Sequence, residues 1–113
     1  GGNYYFTSDE VELHNTEIHL IEAKHTKEDK LPSLGDIKDG LLKMILFTNL
    51  EDVKIGNEKF IPVPILKLTT AETFKIVDMN KSTKEMFEVL KKEAQTNNFK
   101  ILLNKKFITY STE

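Results

Sequence analysis

Residues 7–25, TSDEVELHNTEIHLIEAKH, hold two β-compatible runs around a turn. The first run, residues 4–13, is rich in aromatic and β-branched side chains; His14-Asn15 offers a turn; residues 18–25 form a second strand candidate, so the pair reads as a hairpin. Along a strand, side chains two apart leave from the same face about 7 Å from each other, so Glu22 and Lys24 address one region while Ala23 points away. A partner strand folded back by the turn brings Asp9 alongside them. One small site then holds two acids and a lysine.

Acid-x-Lys is a weak pattern by itself. It occurs at Glu22/Lys24, Glu28/Lys30, Asp36/Lys38 and Asp52/Lys54, and a chain of this composition is expected to show about 2.5 by chance. Context separates the four. Only Glu22/Lys24 closes an apolar strand, IHLI, that follows a turn and an acid-bearing strand. The others fall in a charged loop, at a helix start and in a surface connection.

Outward from the hairpin, residues 26–33, TKEDKLPS, form an exposed loop that ends at a helix cap, with Ser33 or the Gly35 region starting the helix. Ile37, Leu41, Met44, Ile45 and Thr48 recur at helical spacing, with Lys38, Asp39 and Lys43 off the apolar line. Gly40 lowers helix propensity by about 1 kcal/mol relative to Ala, tolerable where another backbone comes close. FIPVPILKL, residues 60–68, reads as a strand whose Pro62 and Pro64 put both imino groups on one side, as at a sheet edge. Residues 69–80 stay open between a short helix and extended chain. Ser82 and Glu85 match a capping box ahead of an apolar face of Met86, Phe87, Leu90 and Ala94, and Asn97-Asn98 ends that helix. Residues 99–103 and 107–110 read as strands around Asn104-Lys105. The fold class is therefore α/β.

The chain has 113 residues, 39% of them hydrophobic, enough for a single domain with a core and too few for two ordinary ones. Its 16 basic side chains are all Lys, and with 18 acids the formal charge is −2, so overall charge announces no nucleic-acid binder. The distribution is uneven: residues 1–22 carry five acids and no Lys, whereas residues 81–106 carry seven Lys against three Glu. Such asymmetry suits a metal-collecting region set apart from a phosphate-facing one, and two ordinary solvated faces account for it as well. No cysteine is present, which excludes disulfides and thiolate metal sites and is compatible with a reducing, cytoplasmic compartment. No apolar run approaches a membrane span. Gly1 and Gly2 read as a cloning remnant, and a strand-like run beginning at Tyr4 implies a fragment of a longer chain.

Hydrolysis of a phosphodiester needs an activated water, neutralisation of added negative charge and help for the departing oxygen. Two hard carboxylates that hold Mg²⁺ serve the first two needs, and a lysine beside the phosphate serves the third or orients the water. To act as a base, Lys24 needs a lowered pKa, whereas neighbouring carboxylates raise it.

TSDEVEL, then IHLIEAKH, then an amphipathic helix followed by strand, helix and strand, resembles the PD-(D/E)XK nuclease superfamily, and within it the type II restriction endonucleases. The likeness spans most of the chain at the level of pattern. It implies a restriction-endonuclease-like mixed β-sheet flanked by helices, Asp9 and Glu22 as ligands of Mg²⁺ (or Mn²⁺), and Lys24 as the third catalytic residue. It also implies double-stranded DNA as substrate, a 5′-phosphate product, a place in restriction-modification, and a homodimer where a palindrome is cut. Ser8 stands where the family often has Pro, so Glu10 or Glu12 stays open as the first acidic ligand. The family's opening helix has no room before Tyr4 and is expected in a missing upstream segment.

Plainer readings compete. Glu22 and Lys24 also suit a surface ion pair, and a catalytically inactive DNA- or protein-binding domain of the same fold is the alternative. Lys27, Lys30, Lys38 and Lys43 are candidates to line a DNA channel, yet a solvated loop and helix face accounts for them as well. Asp36 and Asp39 near a helix start are explained by the helix dipole. His14 falls in the expected turn, and His19 and His25 lie on the strand face opposite Glu22, so no histidine metal site is expected.

Overall fold

The computed structural model describes residues 8–108. Strands β1 (Glu10–His14), β2 (Glu17–His25), β3 (Val53–Ile55), β4 (Glu58–Thr69), β5 (Lys100–Leu103) and β6 (Lys106–Phe107) join one mixed sheet, with helices α1 (Leu34–Thr48) and α2 (Lys81–Asn97). The order across the sheet is β1-β2-β4-β5-β6, with β3 paired to β4. β2, β4 and β5 run parallel, and β1, β3 and β6 are antiparallel to their neighbours. The strands expected over residues 4–7 and beyond residue 108 lie outside the described residues.

The hairpin turns at Asn15-Thr16 rather than His14-Asn15. Asn15 takes φ 55°, a left-handed conformation that Asn tolerates better than most residues, and His14 remains the last residue of β1. In β2, Ile18, Leu20 and Glu22 are buried on one face, and Ile21 is buried on the other. α1 then carries the chain across to β4, which pairs with β2 from Ile61 to Thr69.

The prolines of β4 are explained by this pairing. Ile61 donates its N–H to Thr16 O, so the intervening residues 62 and 64 direct their nitrogens to the opposite edge. β5 begins to pair there only at the level of Ile65. The missing donors therefore fall where no ladder bond is available.

Ser33 caps α1, its Oγ accepting from Asp36 N at 3.2 Å. The helix buries Ile37, Gly40, Met44 and Phe47. Phe47, fully buried, lies outside the expected apolar line, and Ile45, within it, is 38% exposed. A Cβ on Gly40 would come within 2.6 Å of Leu66 Cδ1 and 3.7 Å of Lys24 Cγ. The absent side chain lets α1 lie close over β2 and β4.

α2 is capped by Asn80, whose side chain accepts from Thr83 N at 2.8 Å. Ser82 is already inside the helix, so the expected Ser82/Glu85 capping box does not form: Asn80 starts the helix two residues earlier. At the other end Asn98 takes φ 59°, the left-handed terminus that Asn97-Asn98 implied. Residues 69–80 contain one short 3₁₀ turn, Ile76–Asp78.

Phe87, Leu90 and Ala94 of α2 join Ile37, Met44 and Phe47 of α1 against Leu20, Leu66, Leu68, Ile101 and Leu103 in one core. Leu66 is registered with Ile101, and Leu68 with Leu103, so both helices cover the same sheet face. The surface connection expected around Asp52 and Lys54 contains β3. This is a short strand returned by Gly56 at φ 62°, too brief for its alternation to stand out. No helix among the described residues is long and apolar enough to cross a membrane.

Candidate functional site

Glu22 and Lys24 lie toward the carboxyl end of β2 on the face covered by α1, an end of a parallel strand where open α/β sheets commonly place ligands. Glu10 pairs with Ile21, and continuing that register sets Asp9 opposite Glu22. There the ladder passes to side chains. Ser8 Oγ lies 2.9 Å from Ile21 O and 2.7 Å from Glu10 O, and Asp9 Oδ2 accepts the Ala23 N–H at 2.9 Å. Ser8 thus ties the start of β1 to β2, and Asp9 is fixed beside the strand that carries Glu22.

Glu22 is only 5% exposed, the one buried charged residue among those described. Its Oε2 is 3.8 Å from Lys24 Nζ, beyond hydrogen-bond length. Its Oε1 has no hydrogen-bond partner among the described residues. Burial, and then the charge of Asp9, push the Glu22 carboxyl above its ordinary range, against the opposing pull of Lys43 and Lys24. A buried carboxylate oxygen without a donor is costly, and native proteins retain one chiefly where a water, an ion or chemistry uses it.

Lys24 turns toward the helix. Its Nζ donates to Asp39 Oδ2 at 2.8 Å, and this bond is the main reason its pKa is raised, with Asp39, Glu22 and Asp36 adding charge. Asp39 is correspondingly held below the ordinary carboxylate range by Lys24. Lys24 is therefore a firm cation, which disfavours a base role and suits charge stabilisation.

Asp39 is the member of this cluster that sequence reasoning assigned elsewhere, to the helix dipole. Its sequence signal is slight: an acid one position before the glycine at which α1 approaches the sheet. Of the four lysines considered for DNA, Lys43 lies close enough to influence both Glu22 and Asp39. Lys38 is exposed on α1, and Lys27 and Lys30 are exposed in the loop after β2, where Lys30 is 3.5 Å from Glu28. Glu10, an alternative first acid, lies on the opposite sheet face, paired with Lys67 at 3.1 Å. Glu12 shares that opposite face. Asp9 is the acid that the register places with Glu22.

One further group stands apart. Among the described residues, the only three histidine or acidic side chains with ligand atoms mutually within 4.8 Å are Glu12, His14 and His19. His25 is not among them; its Nδ1 is 2.7 Å from Thr69 Oγ1.

No protein family matches the chain, and neither a curated protein nor a solved structure matches it.

Proposed function

We propose that this chain carries the catalytic cluster of a Mg²⁺-dependent DNA endonuclease of the PD-(D/E)XK, type II restriction-endonuclease-like class, with Asp9, Glu22 and Lys24 as its reacting groups. The observation that carries this reading is the buried Glu22 carboxylate, its Oε1 unpartnered, beside Asp9 and a lysine held as a cation. The order of elements supports it: an acid-bearing hairpin, a helical crossover, and a strand parallel to the one bearing Glu-Ala-Lys.

The residues fit a hard divalent cation. Asp9 and Glu22 are oxygen donors, and Mg²⁺ is ordinarily held by one or two carboxylates with water completing its shell. Bound there, the ion would supply Lewis-acid activation of water and neutralisation of phosphate charge. Lys24 is suited to donate to a phosphate oxygen as negative charge builds on it. In the hydrolysis a water oxygen bonds to phosphorus, the P–O3′ bond breaks, and the 3′ oxygen takes up a proton, leaving a 5′-phosphate. Asp39 keeps Lys24 protonated and aimed. Lys43, Lys38, Lys27 and Lys30 are proposed to contact the DNA backbone, each as a point charge that positions the duplex without reading its sequence.

The Lys24–Asp39 bond favours one rival, an inactive DNA- or protein-binding domain of the same fold in which that ion pair is purely structural. Calorimetry with Mn²⁺ and Mg²⁺ on the wild-type chain and on Glu22→Gln, followed by plasmid cleavage with wild type and Lys24→Ala, separates the two. Binding lost with Glu22 and cleavage lost with Lys24, in folded proteins, is the expected result. A folded wild-type chain that takes up neither ion and leaves DNA intact would remove the nuclease reading in favour of the rival.

A further inference from the structure

The sheet face opposite the helices carries a second set of groups with a different chemical preference. Glu12 is paired across the hairpin with His19, and His14 with Glu17. Cross-strand partners share a face, so these four side chains stand together, on the side away from Glu22. The His14 and His19 rings are stacked with centroids 4.2 Å apart and planes inclined by 27°. Each ring's Nε2 is 3.0 Å from a carboxylate oxygen, Glu12 for His14 and Glu17 for His19.

We propose that Glu12, His14 and His19 form a binding site for a zinc-class transition metal ion that fastens β1 to β2. One carboxylate oxygen and two imidazole nitrogens lie within 4.8 Å of one another. A tetrahedral Zn²⁺ with ligands at about 2.0–2.2 Å needs them roughly 3–3.5 Å apart. The adjustment falls on side-chain ends: Glu12 and His14 are about half exposed, so it disturbs no core packing. Imidazole-rich sets favour Zn²⁺ and its neighbours over Mg²⁺, the reverse of the all-oxygen pair Asp9 and Glu22. Glu17 is placed to hold the second ring nitrogen of His19 once the first is ligated, the carboxylate–histidine arrangement common behind zinc ligands.

Such an ion has a physical use here. Among the described residues β1 pairs only with β2, and a one-residue slip would turn every β1 side chain to the wrong face. A metal clip near the turn fixes the register that sets Asp9 opposite Glu22. The two His–Glu pairs, one exposed and one partly exposed, contribute little by themselves; a shared ion accounts for why three donors converge. This site is independent of the nuclease reading and stands or falls separately from it.

The test is calorimetric titration of ZnSO₄ into the wild-type chain, His14→Gln, His19→Gln and Glu22→Gln, with imidazole ¹⁵N spectra recorded alongside. Expected are one Zn²⁺ per chain, binding weakened at least about tenfold by either histidine substitution, and no loss in Glu22→Gln or under excess Mg²⁺. The His14 and His19 ring nitrogens should shift while those of His25 stay in place. Absence of saturable binding to the folded chain would overturn the proposal. So would binding that survives both histidine substitutions or disappears only with Glu22.

Discussion

Replacing Glu22 by methionine is expected to make the protein more stable at neutral pH and, on the proposed nuclease function, to abolish Mn²⁺ binding beside Asp9. Met has nearly the volume of Glu and no atom that demands a donor. The native carboxylate is 5% exposed, has one oxygen with no hydrogen-bond partner among the described residues, and stands 3.8 Å from the Lys24 ammonium. Leaving a buried acceptor unsatisfied costs about 1–3 kcal/mol, more when it is charged. Against this stands the attraction to Lys24, which keeps its shorter bond to Asp39 after the change. The net expectation is a gain of about 1–3 kcal/mol, or about 4–8 °C in Tm for each kcal/mol in a domain of this size.

The gain should depend on pH with a definite sign. Because the Glu22 carboxyl is raised in the folded state, the native protein holds that proton more tightly than the unfolded chain does. The Glu22 contribution to wild-type stability therefore falls as pH rises from the ordinary carboxylate range through the raised value, and its charge penalty is complete above it. Urea unfolding followed by circular dichroism at pH 7 and pH 4 reads this directly. The Met variant should exceed wild type by more at pH 7 than at pH 4. A Met variant less stable than wild type by about 1 kcal/mol or more at pH 7 would show that Glu22 supports the fold through its ion pair, and the functional reading of its orphaned oxygen would fail.

Other substitutions probe the remaining parts. Asp39→Asn should lower the Lys24 pKa toward that of an ordinary lysine, since the Asp39 bond is the chief cause of its elevation; ammonium NMR titration measures this, and an unmoved Lys24 would deny that Asp39 holds it as a cation. Gly40→Ala gains about 1 kcal/mol of helix propensity but forces a Cβ to 2.6 Å from the buried Leu66, an overpacking of about 1–3 kcal/mol. A net loss of up to about 2 kcal/mol is expected in denaturant melts, and clear stabilisation would contradict the close helix approach. Asn80→Ala should cost about 1 kcal/mol as a lost cap while Ser82→Ala changes stability by less than about 0.5 kcal/mol, compared by thermal unfolding; the opposite ranking would restore the capping box.

Local chemistry made much of this protein legible in its sequence. Alternation in IHLIEAKH, the turn-forming Asn15, the Ser33 cap, the apolar face of α2 and the Asn98 terminus are each written within a few residues, where backbone preference and periodicity act directly. The juxtaposition of Asp9, Glu22 and Lys24 was readable too, because a two-residue hairpin loop ties register to sequence separation. Other features depended on which surfaces meet. Asp39 becomes the partner of Lys24 only because Gly40 lets α1 settle on β2 and β4. His14 and His19 stack only because the turn falls one residue later than expected, keeping His14 in the strand. Glu22 owes its raised pKa to burial beneath a helix whose position no strand pattern encodes. Sequence set the strands, the turns and the types of charge; the tertiary structure decided which charges lie in water and which face each other without it, because burial and cross-element distance are properties of packing.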